Sequence, residues 1–88
     1  MGPIDVLLED LQMACVDSLD GLPPGDLLYR RLRRVVEARL RTKMGHGAFR
    51  DVHGFNVNVG PSACGEGIEI GLSLRRVRTV QDVKVRVL

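Results

Sequence analysis

Between residues 26 and 59 the apolar spacing of the chain changes from three-and-four to two, and this switch limits the folds open to it. Leu28, Leu32, Val35, Val36, Leu40 and Met44 recur at helical spacing and share one face. Arg30, Arg31, Arg33, Arg34, Arg41 and Lys43 take much of the remaining surface. Gly45 and Gly47 then end the helix, and Phe55, Val57 and Val59 alternate with Asn56 and Asn58 as a strand with one apolar side. A basic amphipathic helix therefore hands over to the first strand of a small sheet.

The flanking segments complete the pattern. Ile4, Leu7, Leu8, Leu11, Ala14, Cys15 and Leu19 follow helical spacing, with Pro3 suited to a first helical turn. The spacing predicts a helix over about 3–19. In DGLPPGD (20–26), Gly21 can adopt a positive φ, Pro23 and Pro24 forbid continuation, and Asp26 is placed to cap a second helix over about 27–44. So short a connection makes the two helices antiparallel neighbours, or splays them at an angle set by the prolines. After a corner in which Ala48 and Phe49 are the expected buried anchors, strands are predicted at about 55–59, 67–74 and 80–87. Ile68, Ile70, Leu72 and Leu74 carry the alternation in the second strand, and Val83, Val85 and Val87 in the third. The expected fold class is α+β in the order ααβββ: a single domain, 1–88, with two N-terminal helices on one face of a small, mainly antiparallel three-stranded sheet.

Charge is segregated along the chain. Residues 1–26 hold six acids and no Lys or Arg, whereas residues 27–43 hold seven bases against Glu37 alone, although the net charge is only +2. Opposite elements of this kind either pair within the fold or meet head-to-tail between copies. A domain of 88 residues buries only roughly 60–65% of its unfolded surface, so a partner can add materially to its stability.

Little in the sequence points to reaction chemistry. His46, His53, Cys15 and Cys64 lack metal-site spacing, and the glycine-rich stretches GHGAF and GPSACGEG precede strands rather than forming a phosphate loop before a helix. Cys64 with His46 or His53 and Asp51 has no nucleophile-elbow context. The expectation is a protein that is not an enzyme, with no catalytic, cofactor-binding or metal-binding residues. There is no signal-peptide pattern and no apolar run long enough for a membrane span, and two cysteines do not make a disulfide framework. A reducing, cytoplasmic origin fits these features.

Two classes of partner remain. Nucleic acid would use the arginines of the second helix, extended by Arg75, Arg76 and Arg78, although the three aromatics Tyr29, Phe49 and Phe55 offer few stacking platforms. Protein subunits would use the sheet edges, where an extended segment can add a strand through backbone hydrogen bonds. VKVRV at 83–87 is either an edge guarded by Lys84 and Arg86 or a strand offered to a neighbour.

From the second helix onward, roughly 28–88, the chain resembles the C-terminal domain of contractile-tail sheath proteins and the related sheath-initiator or baseplate proteins. The matching pieces are GAF (47–49), FNVNV (55–59), GIEIGLSL (67–74) and VQDVKVRVL (80–88). Two departures stand out: the large insertion and N-terminal domains of a sheath subunit are lacking, as is the Arg-rich, Asp-Phe-Gly-type signature of the best-known initiators. The resemblance implies a virion protein, assembled in the host cytoplasm, that nucleates the sheath in a homo- or hetero-oligomer with other subunits. The protein-binding residues it points to are Phe55, Val57, Ile68, Ile70, Val83 and Val85 for strand addition, with Arg30, Arg31, Arg34 and Arg41 meeting an acidic neighbour.

Overall fold

The computed structural model describes residues 2–63, 65 and 67–87, and the fold is α+β in the order ααβββ. Helix α1 spans Pro3–Asp17 and helix α2 spans Asp26–Lys43; a 3-10 turn at Gly47–Phe49 leads into strands β1 (Gly54–Pro61), β2 (Ile68–Arg75) and β3 (Val80–Val87). The strands form an antiparallel meander in the order β1-β2-β3. Cys64 lies outside the described residues.

Local chemistry sets each boundary. Pro3 occupies the first turn of α1, and the Asp5 carboxylate accepts a hydrogen bond from the Gly2 amide at 3.1 Å, placing negative charge at the helix N-terminus. The helix stops at Asp17, two residues earlier than the apolar spacing indicates. Ser18 turns its hydroxyl back onto the Ala14 carbonyl at 2.8 Å, and Leu19 packs against the core from the connecting loop. Asp20 and Gly21 both take positive φ, at 51° and 72°, which turns the chain before Pro23 and Pro24. Gly25, not Asp26, is the N-cap of α2, and Asp26 is the first helical residue. At the other end Met44 is extended, and the Gly45 amide bonds to the Phe49 carbonyl at 3.0 Å, closing the corner.

The two helices lie over the same face of the sheet, α2 against β1 and α1 against β3, and they pack on each other. Their inward stripes, Leu7, Leu11 and Cys15 on α1 and Leu28, Leu32, Val36 and Leu40 on α2, meet Ile68, Ile70, Leu72 and Leu74 of the central strand. Fully burying each such aliphatic side chain contributes about 1.5–3 kcal/mol, which makes β2 the largest contributor to the core among the strands. Phe49 and Val52 close one end. Ala48, expected to be a buried anchor, is exposed; Val52 takes the second inward position of the corner, its amide bonded to the Phe49 carbonyl.

The opposite face of the sheet is polar. Asn56, Ser73 and Asp82 stand in one cross-strand row, Asn58, Gly71 and Lys84 in the next, and Gly60, Glu69 and Arg86 in the third. Ser73 donates to Asp82 at 2.6 Å, and Lys84 pairs with Glu69 at 3.3 Å. No helix among the described residues is long and apolar enough to cross a membrane.

Candidate interaction surface

In an antiparallel ladder the N–H and C=O of one residue point to the same side, and consecutive residues alternate. The bond from the Ser62 amide to the Gly67 carbonyl closes the β1-β2 hairpin, so Asn56, Asn58 and Gly60 face β2. Phe55, Val57 and Val59 therefore direct their backbone groups outward while their side chains turn toward the helices. Beyond the ladder itself, no hydrogen bond among the described residues reaches these three donors and acceptors. Pro61 ends the edge, where its missing N–H costs no ladder bond.

The β3 edge differs. The Arg76 amide bonds to the Thr79 carbonyl across the β2-β3 turn, which fixes Gln81, Val83, Val85 and Val87 toward β2 and leaves Asp82, Lys84 and Arg86 facing outward. Gln12, on α1, donates its side-chain amide to the Arg86 carbonyl at 3.1 Å. One edge is thus partly occupied by the protein itself, and β1 presents the longer open backbone.

The six strand residues among the ten candidate interaction residues separate into three groups. Ile68 and Ile70 belong to the central strand, which is hydrogen-bonded on both sides, and both side chains are buried under the helices. They are core residues and offer no edge. Val83 and Val85 also face the core, with backbones turned to β2. Phe55 and Val57 lie on the open strand, so their backbone groups, not their side chains, are available.

Arg30, Arg31, Arg34 and Arg41 are all exposed on the outward side of α2. The expected pairing of acidic and basic elements within the fold accounts for part of the charge. Arg31 reaches Asp20 and Arg39 reaches Asp10, each at 3.4 Å, and Glu37 forms ion pairs with Arg33 at 3.2 Å and Arg41 at 3.6 Å. Among the described residues Arg30 and Arg34 have no ion pair. Arg30 also lines a groove of about 240 Å³ between α2 and the open strand, with Asp26, Tyr29, Arg33, Val57 and Val59. A strand-accepting edge and an uncommitted guanidinium thus share one groove.

Two features are invisible to spacing arguments. Arg76, grouped by sequence with Arg75 and Arg78 as a basic patch, is committed inside the fold. Its guanidinium bonds to Asp51, Gln81 and the Ala48 carbonyl and lies 5.8 Å from the centre of the Phe49 ring. An apolar cavity of about 580 Å³ opens beyond Pro61, walled by Leu19, Leu22, Leu28, Tyr29 and Ile68. The residues around it come from four separate segments, so no local pattern announces it.

The residues weighed for reaction chemistry are dispersed. His46 and His53 are exposed, and the His53 ring contacts the Arg76 carbonyl at 3.2 Å. Asp51 is engaged by Arg76. Among the described residues no three His, Cys, Asp or Glu side chains cluster as metal ligands. Cys15 is fully buried, and burial pushes its thiol up from 9.0 to about 11, away from the range of reactive cysteines. No family model matches the chain, and neither a curated protein nor a solved structure matches it.

Proposed function

We propose that the protein is a non-enzymatic assembly protein that accepts an extended segment of another subunit as a fourth strand. The observation that carries this reading is the outward backbone of Phe55, Val57 and Val59 beside Arg30, which has no ion pair among the described residues. Backbone hydrogen bonds supply affinity in such strand addition, and flanking side chains supply selectivity. The arginines of α2 favour an acidic partner and speed its encounter.

A second copy pairing β1 with β1 about a twofold axis is disfavoured. That arrangement sets α2 beside its mate and brings the two sets of arginines together, and like charges oppose such contacts. The favoured occupant is a different subunit of the same assembly.

The setting we propose is the virion, as a sheath-initiator or baseplate adaptor of a contractile phage tail or related machine. This rests on the resemblance of GAF, FNVNV, GIEIGLSL and VQDVKVRVL to the sheath C-terminal domain. Gentle isolation from the source followed by native mass spectrometry tests it. Recovery in fixed stoichiometry with a large repeating protein is the expected result; recovery alone or with nucleic acid overturns it.

A second reading, a small nucleic-acid-binding domain, is favoured by one observation: Arg30, Arg31, Arg34 and Arg41 project from one side of α2, and two of them have no acidic partner among the described residues. It requires an affinity for DNA or RNA that falls steeply with salt and weakens in Arg30→Glu and Arg34→Glu.

A further inference from the structure

The apolar cavity and the β1 groove share Tyr29 as a common wall, and the cavity begins where β1 ends at Pro61. A segment added to the β1 edge continues directly into it. On such a segment, alternate side chains turn to the helix side of the sheet. The residue beside Val57 or Val59 then lies against Arg30, and the residue about 7 Å further along, two positions on, reaches the cavity mouth. We propose that this continuous surface selects an extended partner segment carrying a carboxylate two residues from a bulky apolar side chain. The carboxylate pairs with Arg30, and the apolar group fills the space between Leu22, Leu28 and Ile68. This rests on the strand-addition reading and names the chemistry of the partner.

The occupant follows from the two ends of the surface. Among the described residues no ion pair engages the Arg30 guanidinium in the groove, whereas Arg33 is held by Glu37. Among the described residues the side chains that wall the cavity are aliphatic apart from Tyr29, so an aromatic or large aliphatic group is the matching guest. Strand addition fixes the register between the two, which makes the spacing of the partner residues as selective as their identity.

The test uses two end-blocked heptapeptides of alternating Thr and Val, one carrying Glu two residues before Phe and the other carrying them in reverse order. Each is titrated into the isotope-labelled protein and followed by amide NMR. One order is expected to shift the amides of Phe55, Val57 and Val59 together with those of Leu22 and Leu28. It should bind at least tenfold more tightly than the same peptide with Phe replaced by Ala, or with Glu replaced by Lys. Arg30→Glu, on an exposed side chain, should lose tenfold for the Glu peptide and regain it with the Lys peptide. Leu22→Trp should remove the preference for Phe while the β1 amides still respond. If peptides lacking Glu and Phe bind equally well, the selectivity proposal falls and strand addition stands. If no peptide perturbs the β1 amides, both fall. Peptide-free self-association that protects the β1 amides makes a second copy the occupant and overturns the proposal.

Discussion

The side-chain amide of Gln12 donates to the carbonyl of Arg86 at 3.1 Å, tying the middle of α1 to the outer edge of β3. A three-stranded sheet has two exposed edges, and this bond makes them unequal. On β3 the outward positions also carry Lys84 and Arg86, charged residues of the kind that discourage edge pairing. On β1 the outward backbone belongs to Phe55, Val57 and Val59, and charge enters only from the neighbouring helix.

Removing the guards on β3 should therefore create an interface. The Gln12→Ala change loses one exposed hydrogen bond, about 0.5–1 kcal/mol, and on its own leaves the protein monodisperse. Combined with Lys84→Val, it removes both the tie to α1 and one of the two basic guards of the edge, and sedimentation velocity should show concentration-dependent association. A monodisperse double variant would mean that Gln12 and Lys84 do not protect the edge.

The register of β1 makes adjacent proline substitutions unequal. The Val59 amide points away from the sheet, so Val59→Pro removes no ladder bond and costs mainly packing. A loss of about 1 kcal/mol lowers Tm by roughly 4–8 °C in a domain this size. The Asn58 amide faces Gly71, so Asn58→Pro breaks the ladder and should lower Tm by more than twice as much. Thermal melts of the two variants decide between this register and one slipped by a residue, for which the order reverses. Val59→Pro should also abolish strand addition.

Arg76 should behave as a structural residue. It joins the β2-β3 turn to the corner around Phe49 through Asp51, Gln81 and the Ala48 carbonyl, with three quarters or more of its side chain shielded from solvent. Arg76→Ala is expected to cost about 2–3 kcal/mol in urea unfolding, because charge-assisted bonds and ring contact are lost together. Arg76→Lys should recover less than half, since an ammonium cannot serve three acceptors in the guanidinium plane. Full recovery by Lys would reduce the contact to its charge.

Periodicity made most of this fold legible, and the site much less so. The inward residues of α1 and α2 follow directly from three-and-four spacing, and the three strands follow from strict alternation, because one face of each element is dry. Gly21 was equally readable, since a turn before two prolines needs a positive φ. Ala48 misled because a small apolar residue in a short corner can face either way, and Val52 was better placed to reach the core. Strand order decided that Ile68 and Ile70 are central, and order is a property of pairing that alternation within one strand does not contain. The same holds for Arg76: three arginines in four positions look alike in sequence, while only one meets Asp51 and Phe49 in space.

The buried thiol gives a prediction with a definite sign. Cys15 holds its proton up to about pH 11 in the folded chain because burial disfavours the thiolate, whereas it ionises near 9.0 when exposed. The stability is fully present below pH 9. It declines as pH rises from 9 toward 11, because only the unfolded chain gains by ionising there; the loss reaches about 2–3 kcal/mol. In a Cys64→Ser background, unfolding free energies measured from pH 8 to 11 should fall by about that amount, and the further change Cys15→Ala should remove this part of the slope. The same burial slows reaction with a disulfide reagent at pH 8 by at least 100-fold relative to the urea-unfolded chain. Rapid labelling of the folded protein at that pH would place Cys15 at the surface and contradict the packing of α1 against the sheet.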